Sequence, residues 1–203
     1  MTLSELDRLI GLTTDKGRAG LWPFYEELFA GRRQSVRGLI ELGVKEGGAL
    51  AVYAAYFDRA LCLGIEPKMR QEETFGERLR AHGLSHRVGV KCGRAENRAF
   101  MESAIVVFGG DGPDIVIDDA SHLLAPTRAA LEILWPRVAP GGLYVVEDWH
   151  AGEWRPEKYG AGGGLRALLQ ECLDALISER AWLAGLRQVT VGPRAFALEK
   201  GNG

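Results

Sequence analysis

Short apolar runs rich in branched side chains alternate along this chain with stretches in which apolar residues recur at helical spacing. That alternation is typical of a mostly parallel β-sheet whose strands are joined by helices. We predict a strand for each run and a helix for each stretch between two runs. The five predicted strands are 38–44, 60–65, 88–92, 114–119 and 143–146.

The end of the chain follows a different pattern. Two further strands are predicted at 188–191 and 194–198, separated only by a turn at Gly192 and Pro193. So short a connection leaves no room for a helical crossover, and the two strands must therefore form an antiparallel hairpin. The predicted fold class is α/β: a Rossmann-like, seven-stranded, mostly parallel sheet with helices on both faces and a C-terminal antiparallel hairpin.

Domain organisation is simple in this interpretation. The glycine-rich stretch 160–164 is the one candidate for a linker, and too short a segment follows it to build a second domain. We therefore predict a single domain over residues 1–203, in which residues 1–31 are an N-terminal helical segment. The helix predicted over 4–10 has Ser4 and Asp7 available as capping residues.

Composition excludes several classes of partner. Lys plus Arg number 25 against 27 for Asp plus Glu, so the chain has no general attraction to nucleic acid or to an anionic membrane. Its start lacks the order of a signal peptide, and no window approaches a membrane span. We expect a cytoplasmic protein, with its apolar N-terminal helices as a candidate surface for a homo-oligomer. The three cysteines, Cys62, Cys92 and Cys172, are far apart and are predicted to be small core residues.

Acidic side chains lie at the ends of four of the predicted strands. Each one alone could be an ordinary helix cap, but ligands of open α/β sheets bind at the carboxyl ends of the strands, so the four together favour a site. These acids are Glu41, Glu66, the pair Asp118 and Asp119, and the pair Glu147 and Asp148.

The second of these acids and the first glycine turn point to a nucleotide cofactor. Glu66 ends a strand at which an acid can accept hydrogen bonds from both ribose hydroxyls, which suits NAD and other adenosine cofactors equally. The first turn lacks the G-x-G-x-x-G fingerprint expected for NAD. Gly43 allows a close backbone approach, and Gly47 and Gly48 open a helix whose N-terminus can receive a carboxylate. An amino-acid carboxylate joined to adenosine would satisfy both ends.

A metal site is predicted where the fourth and fifth strands end. Asp119 and His122 lie three residues apart after one strand, and Asp148 follows the next. Hard oxygen ligands without cysteine favour Mg²⁺, or else Mn²⁺ or Ca²⁺, over Zn²⁺. His122 is suited to take a proton from a hydroxyl beside the metal. The structural alternative is a histidine that caps the helix expected at Pro126.

At these residues the chain resembles a known family. The segments TDKG at 14–17, IELGV at 40–44 with Gly47 and Gly48, DIVIDDASH at 114–122 and PGGLYVVED at 140–148 resemble metal-dependent class I methyltransferases of the macrocin O-methyltransferase type. That family methylates sugar hydroxyls on antibiotics, and the resemblance covers about two thirds of the chain, from Thr13 to Trp154. The chain departs from the pattern at Thr13 and Ala120, where the family has glycine, and over 93–96, which lacks the usual acid and glutamine.

The resemblance implies S-adenosylmethionine and Mg²⁺ as cofactors and assigns a role to each matching residue. Asp119 and Asp148 would bind Mg²⁺ with Glu41 as the third ligand, and His122 would be the general base. The loop of Lys16 would close over S-adenosylmethionine, Glu66 would hold its ribose, and Gly43 and Gly48 would face its methionine end. The implied cofactor contacts are Lys16, Gly43, Gly48, Glu66, Arg94, Ala95 and Asp118.

The acceptor is predicted to be a small hydroxylated molecule, a sugar or a glycoside. Aromatic faces pack on the apolar faces of sugars, so an acceptor mouth is predicted at Trp149, His150, Trp154 and Tyr159, although both tryptophans could instead be core residues. The leading prediction is a Mg²⁺-dependent O-methyltransferase. Two alternatives remain open: an NAD-linked oxidoreductase, favoured by Glu66 and opposed by the missing fingerprint and the hairpin, and a non-catalytic nucleotide-binding protein of the same fold.

Overall fold

The computed structural model describes residues 1–178 and 181–202. The chain divides into two units, Met1–Gly93 and Arg94–Gly203, each with its own strands and helices. No helix in the described part of the chain combines the length and the apolar character that crossing a membrane requires.

The first unit contains three parallel strands and four helices. In chain order these elements are α1 (Leu3–Ile10), α2 (Leu21–Phe29), β1 (Gly38–Leu42), α3 (Gly48–Tyr56), β2 (Leu61–Glu66), α4 (Glu72–Ala81) and β3 (Val88–Cys92). Strand β2 lies between β1 and β3, with Glu41 opposite Gly64 and Glu66 opposite Cys92. All five residues of β1 are buried, as expected for a strand covered on both faces.

The N-terminal helix α1 begins differently from the prediction. Thr2, rather than Ser4 or Asp7, is the capping residue: its hydroxyl accepts the backbone N–H of Glu5, and the Glu5 carboxylate accepts the N–H of Thr2. This reciprocal arrangement satisfies two helix-end donors at once. The Asp7 carboxylate instead accepts a 2.8 Å hydrogen bond from the indole Nε1 of Trp22 in α2.

The described residues of the second unit form four strands and five α-helices. In chain order they are α5 (Arg98–Ala104), β4 (Ile115–Asp118), α6 (Leu124–Leu134), β5 (Leu143–Glu147), α7 (Ala151–Trp154), α8 (Pro156–Tyr159), α9 (Gly164–Ser178), β6 (Leu186–Val191) and β7 (Ala195–Lys200). Strands β4 and β5 are parallel, β7 runs antiparallel to β5, and β6 pairs antiparallel with β7. The C-terminal hairpin is therefore confirmed.

The predicted fold class is confirmed as a whole. The described strands form a seven-stranded mixed sheet in the order β3-β2-β1-β4-β5-β7-β6, with helices between them in the chain.

Several element boundaries differ from the prediction for local reasons. Strand β1 ends at Leu42, because Gly43 turns the backbone into the left-handed region at φ +85°. The chain after Asp148 contains α7 and α8, and the glycine-rich stretch 160–164 contains a short helical turn at Ala161–Gly163. Cys62 and Cys172 are buried as predicted, whereas Cys92 is exposed, so its prediction as a core residue was wrong.

Candidate active site

The carboxylate of Glu66 is held in place by the backbone of the first unit. One oxygen accepts the N–H of Lys45 at 3.0 Å, and the other accepts the N–H of Lys68 at 3.2 Å. A carboxylate oxygen has a second lone pair, so both oxygens can still accept a hydroxyl. Glu66 also borders a pocket of about 260 Å³, whose other lining residues are Pro67, Lys68, Met69, Glu72, Val90 and Cys92.

The glycine turn after β1 is shaped by two close approaches. A Cβ on Gly47 would lie 2.3 Å from the ring of Phe75, and a Cβ on Gly48 would lie 2.1 Å from the carbonyl oxygen of Thr13. Gly48 therefore lets the loop at 13–14 pack directly on the start of α3. The N–H of Gly43 is already donated to the carbonyl of Ile65 at 2.8 Å.

Lys16 and Glu41 form a buried ion pair in the first unit. Lys16 Nζ lies 3.7 Å from Glu41 Oε1, and the two side chains are only 1% and 2% exposed. Lys16 was predicted to cover the cofactor and Glu41 to bind the metal, and both roles stay predictions. Sequence analysis missed the pair, because 25 positions separate the two residues and no local pattern joins them.

In the second unit, Asp119, His122 and Asp148 come together. Asp119 follows β4 and Asp148 follows the adjacent parallel strand β5, so both acids reach the same end of the strand pair. One ligand atom from each of the three residues lies within 4.8 Å of the others. His122 Nε2 is 3.7 Å from Asp119 Oδ1 and 3.9 Å from Asp148 Oδ2.

Two residues of this cluster have an unusual backbone conformation. His122 and Asp148 are non-glycine residues in the left-handed region, at φ +55° and +50°. Such a conformation costs about 1 to 3 kcal/mol for a non-glycine residue and is concentrated at functional sites. No side-chain hydrogen bond caps α6, which begins after Leu123, so His122 is not the helix cap of the alternative interpretation.

Asp118 directly precedes Asp119 in the chain, and its carboxylate is held by two hydrogen bonds. Its side chain is 3% exposed, and its two oxygens accept the Tyr144 hydroxyl at 3.0 Å and the N–H of Ala120 at 3.3 Å. Burial raises the pKa of Asp118 to about 7, and these hydrogen bonds oppose the shift. These two hydrogen bonds connect Asp118 to the turn beside Asp119 and to β5. The predicted contact of Asp118 with the cofactor stays a prediction.

The predicted acceptor residues are aromatic but not core. Trp154 is 54% exposed, and its ring is met edge-on by the imidazole of His150 at 4.1 Å between centroids. Trp149 Nε1 donates to the carbonyl of Gly192 at 3.0 Å, and Tyr159 lies edge-on to His122 at 5.9 Å. Burial lowers the pKa of His150, with Asp148 opposing that shift.

The two residues predicted to contact adenine differ in exposure. The Arg94 side chain is exposed and forms an ion pair with Glu96 at 3.2 Å. Ala95 is buried. Neither observation tests the predicted contact, which stays a prediction for both.

Arg194 is the residue of this region that sequence analysis missed. Its Nη1 lies 3.5 Å from Asp148 Oδ1, and its guanidinium carbon lies 4.7 Å from the centre of the Trp154 ring. A signal was present, because pairing the hairpin with β5 sets Glu147 opposite Ala195 and so brings Arg194 beside Asp148. That signal depends on a strand register that sequence alone does not supply.

The donor set of the cluster fits a hard divalent cation. Two carboxylates with an adjacent imidazole suit Mg²⁺ or Mn²⁺, and no cysteine lies in the cluster. The side chains of Asp148 and His122 are 28% and 15% exposed, so solvent reaches the cluster.

The acid at the end of β2 and the candidate cation cluster after β4 and β5 are each compatible with an enzyme that uses an adenosine cofactor and a metal. Comparison with known proteins gives the family: residues 40–149 match the family described as "Methyltransferase domain", which is more than half of the chain. The chain belongs to this methyltransferase domain family.

Curated relatives carry more detailed names. The chain is 32% identical over 189 residues to 8-demethyl-8-(2-methoxy-alpha-L-rhamnosyl)-tetracenomycin-C 3'-O-methyltransferase of Streptomyces olivaceus, covering 81% of this chain and 43% of that protein. It is 29% identical over 157 residues to mycinamicin VI 2''-O-methyltransferase of Micromonospora griseorubida, covering 74% of this chain and 35% of that protein. The matched part is thus less than half of each relative's length.

The chain is also similar to the solved structure of a methyltransferase. MycE methyltransferase from the mycinamycin biosynthetic pathway, in complex with Mg, SAH and mycinamycin VI, superposes with a TM-score of 0.79 at 26% identity. The similarity covers 99% of this chain and 55% of that chain.

Proposed function

We propose that this protein transfers a methyl group from S-adenosylmethionine to a hydroxyl of a sugar or glycosylated small molecule, in a reaction that requires Mg²⁺. The observation that carries the proposal is the cluster of Asp119, His122 and Asp148 after β4 and β5. Membership of the methyltransferase domain family supports the same reaction class.

Most of the proposed cofactor contacts lie in the first unit. Both oxygens of Glu66 are oriented by backbone N–H groups and keep free lone pairs, which suits the two hydroxyls of a ribose. The start of α3 at Gly48 provides helix N–H groups for the carboxylate of the methionine part. Lys16, Gly43, Arg94, Ala95 and Asp118 complete the proposed cofactor contacts.

Asp119 and Asp148 would hold the metal, and Glu41 is the proposed third ligand. When bound, S-adenosylmethionine supplies an electrophilic methyl group and Mg²⁺ lowers the pKa of an acceptor hydroxyl. His122 Nε2 accepts the hydroxyl proton, and Asp119 stabilises the resulting imidazolium from 3.7 Å. Holding the acceptor oxygen in line with the methyl carbon removes much of the entropic barrier.

The acceptor class rests on the aromatic residues and on the relatives. Trp149, His150, Trp154 and Tyr159 present rings of the kind that pack on sugar faces. The two curated relatives described above are named for methylating a rhamnosyl tetracenomycin and mycinamicin VI. A glycosylated natural product is therefore the first acceptor class to test.

The reaction can be tested with S-adenosylmethionine labelled in its methyl group. Purified protein is incubated with a panel of rhamnosylated and deoxyhexosylated aglycones, with Mg²⁺ or with EDTA, and products are analysed by mass spectrometry. We expect a single added methyl group on the sugar in Mg²⁺ and none in EDTA.

The base assignment has its own test. Replacing a general base typically costs 10² to 10⁴ in rate, so we expect His122→Ala to lose at least about 100-fold in kcat while still binding S-adenosylhomocysteine. His86→Ala is the matched control, because His86 is exposed on the first unit. A His122→Ala variant with the turnover of His86→Ala would show that His122 is not the base.

A further inference from the structure

The turn between β6 and β7 contacts the chain that follows β5 at four points. The carbonyl of Arg194 accepts the N–H of Asp148 at 2.6 Å, and the carbonyl of Gly192 accepts Nε1 of Trp149 at 3.0 Å. The Arg194 side chain adds the ion pair with Asp148 and the contact over the Trp154 ring. One arginine thus contacts both a proposed metal ligand and a proposed acceptor residue.

The two oxygens of Asp148 face different partners. Oδ1 lies 3.5 Å from Arg194 Nη1, whereas Oδ2 lies 3.9 Å from His122 Nε2. A guanidinium on Oδ1 stops the carboxylate from rotating and leaves Oδ2 directed at the cluster. Asp148 itself directly follows β5 and has a left-handed backbone at φ +50°.

The contact with Trp154 is made by the same guanidinium group. A guanidinium stacks on an aromatic ring and donates to a carboxylate at the same time, which the point charge of a lysine cannot do. The Arg194 and Asp148 side chains are 35% and 28% exposed, so solvent screens their attraction only in part.

We propose that Arg194 is a positioning residue, which holds Asp148 in the orientation that binds the metal and couples it to the acceptor residue Trp154. This inference rests on the proposed function, since it concerns the same site. Arg194 touches neither reacting atom and acts through Asp148.

The test measures metal binding without turnover. Mn²⁺ is titrated into the full chain in the presence of S-adenosylhomocysteine, and free Mn²⁺ is followed by electron paramagnetic resonance. Groups that orient a metal ligand typically contribute 10-fold to 100-fold in affinity, so we expect Arg194→Gln to bind Mn²⁺ at least roughly 10-fold more weakly. Arg194→Lys keeps the charge beside Asp148 and should lie between Arg194→Gln and the unsubstituted protein.

Arg187→Gln is the matched control. Arg187 lies in the same hairpin, in β6, where its exposed side chain pairs with Glu199, and its replacement removes the same charge. We expect its Mn²⁺ affinity to equal that of the unsubstituted protein. Thermal unfolding identifies any variant that loses the fold. If Arg194→Gln does not fold, the test is made with Arg194→Lys instead.

Three results would overturn the proposal. Arg194→Gln could bind Mn²⁺ as tightly as the unsubstituted protein or more tightly, which would mean that the guanidinium does not orient Asp148. Arg187→Gln could weaken Mn²⁺ as much, which would mean a general effect of charge. Absence of Mn²⁺ binding by the unsubstituted protein would also reject the metal site itself, whereas the first two results leave methyl transfer intact.

Discussion

The two units hold their proposed functional residues in different ways. In the first unit the important groups are held by backbone atoms and close packing: Glu66 by two N–H groups, and the loop at Thr13 by its contact with Gly48. In the second unit, partly exposed side chains contact one another, as Arg194, Asp148 and His122 do. The first arrangement is sensitive to added volume or lost charge in the interior, and the second to the identity of individual side chains.

This difference matches what each part is proposed to do. The cofactor is bound in every reaction cycle, and a binding site that needs no rearrangement avoids the entropic cost of ordering its groups. A site that must release a proton from the acceptor needs titratable side chains that solvent and substrate can reach. The comparison predicts that substitutions in the first unit act mainly on stability, whereas His122 and Arg194 act mainly on turnover and metal binding.

The largest effect on stability is expected from the buried ion pair of the first unit. Lys16→Met leaves the Glu41 carboxylate buried without its ammonium partner, and breaking a buried pair in this way typically costs 3 to 5 kcal/mol, so we expect about 3 kcal/mol or more in the free energy of unfolding. Urea unfolding measures it. Lys45→Met is the control, because the pair of Lys45 with Asp15 is exposed and such pairs contribute about 0 to 1 kcal/mol. Equal losses in the free energy of unfolding for Lys16→Met and Lys45→Met would contradict the claim that charge in the interior is critical in this unit.

The next largest loss of stability is expected from a substitution at the closely packed Gly48. In Gly48→Ala the new methyl group meets a backbone carbonyl, which cannot move aside as a side chain would, so we expect a loss of about 1 to 3 kcal/mol. Binding of S-adenosylhomocysteine should weaken with it, measured by calorimetry. Gly89→Ala in β3 has open space around its new methyl group and should change neither quantity. A Gly48→Ala variant as stable as Gly89→Ala would contradict the packing argument.

The effect that is smallest for a change of one pH unit concerns the buried acid of the second unit. Because the pKa of Asp118 is raised to about 7 in the folded protein, the folded state keeps a proton that the unfolded chain releases near pH 4. The free energy of unfolding should therefore fall between about pH 4 and pH 7, by about 1 kcal/mol per pH unit, and change no further above that range. Asp118→Asn should flatten this decline in urea unfolding with EDTA present. Asp174→Asn, at an exposed position in α9, should keep it, and a decline that persists in Asp118→Asn would assign it to another group.

Sequence reasoning predicted what depends on periodicity and on strand ends. The strands, the hairpin and the convergence of Asp119, His122 and Asp148 all follow from the alternation of runs and the parallel pairing of β4 with β5. The acid Glu66 was predicted at the end of β2 for the same reason. These features are local or follow from one topological rule.

What could not be predicted depends on contacts between distant segments. The pair of Lys16 with Glu41 needs the loop before α2 to enter the interior, and the exposure of Cys92 depends on what covers the end of β3. Arg194 required the register of β7 on β5. The cap at Thr2 was missed, although Thr2 and Glu5 have the spacing of a capping box, because Ser4 and Asp7 offered a competing local choice.

The central claim is that the protein binds S-adenosylmethionine and transfers its methyl group only when Mg²⁺ is present. Calorimetric titration with S-adenosylhomocysteine and with NAD, in EDTA, tests it most directly, followed by restoring Mg²⁺ in a methyl-transfer assay on the same sample. The account predicts that S-adenosylhomocysteine binds without metal, that NAD does not bind, and that transfer begins only with Mg²⁺. Binding of NAD without S-adenosylhomocysteine, or full transfer in EDTA, would contradict it.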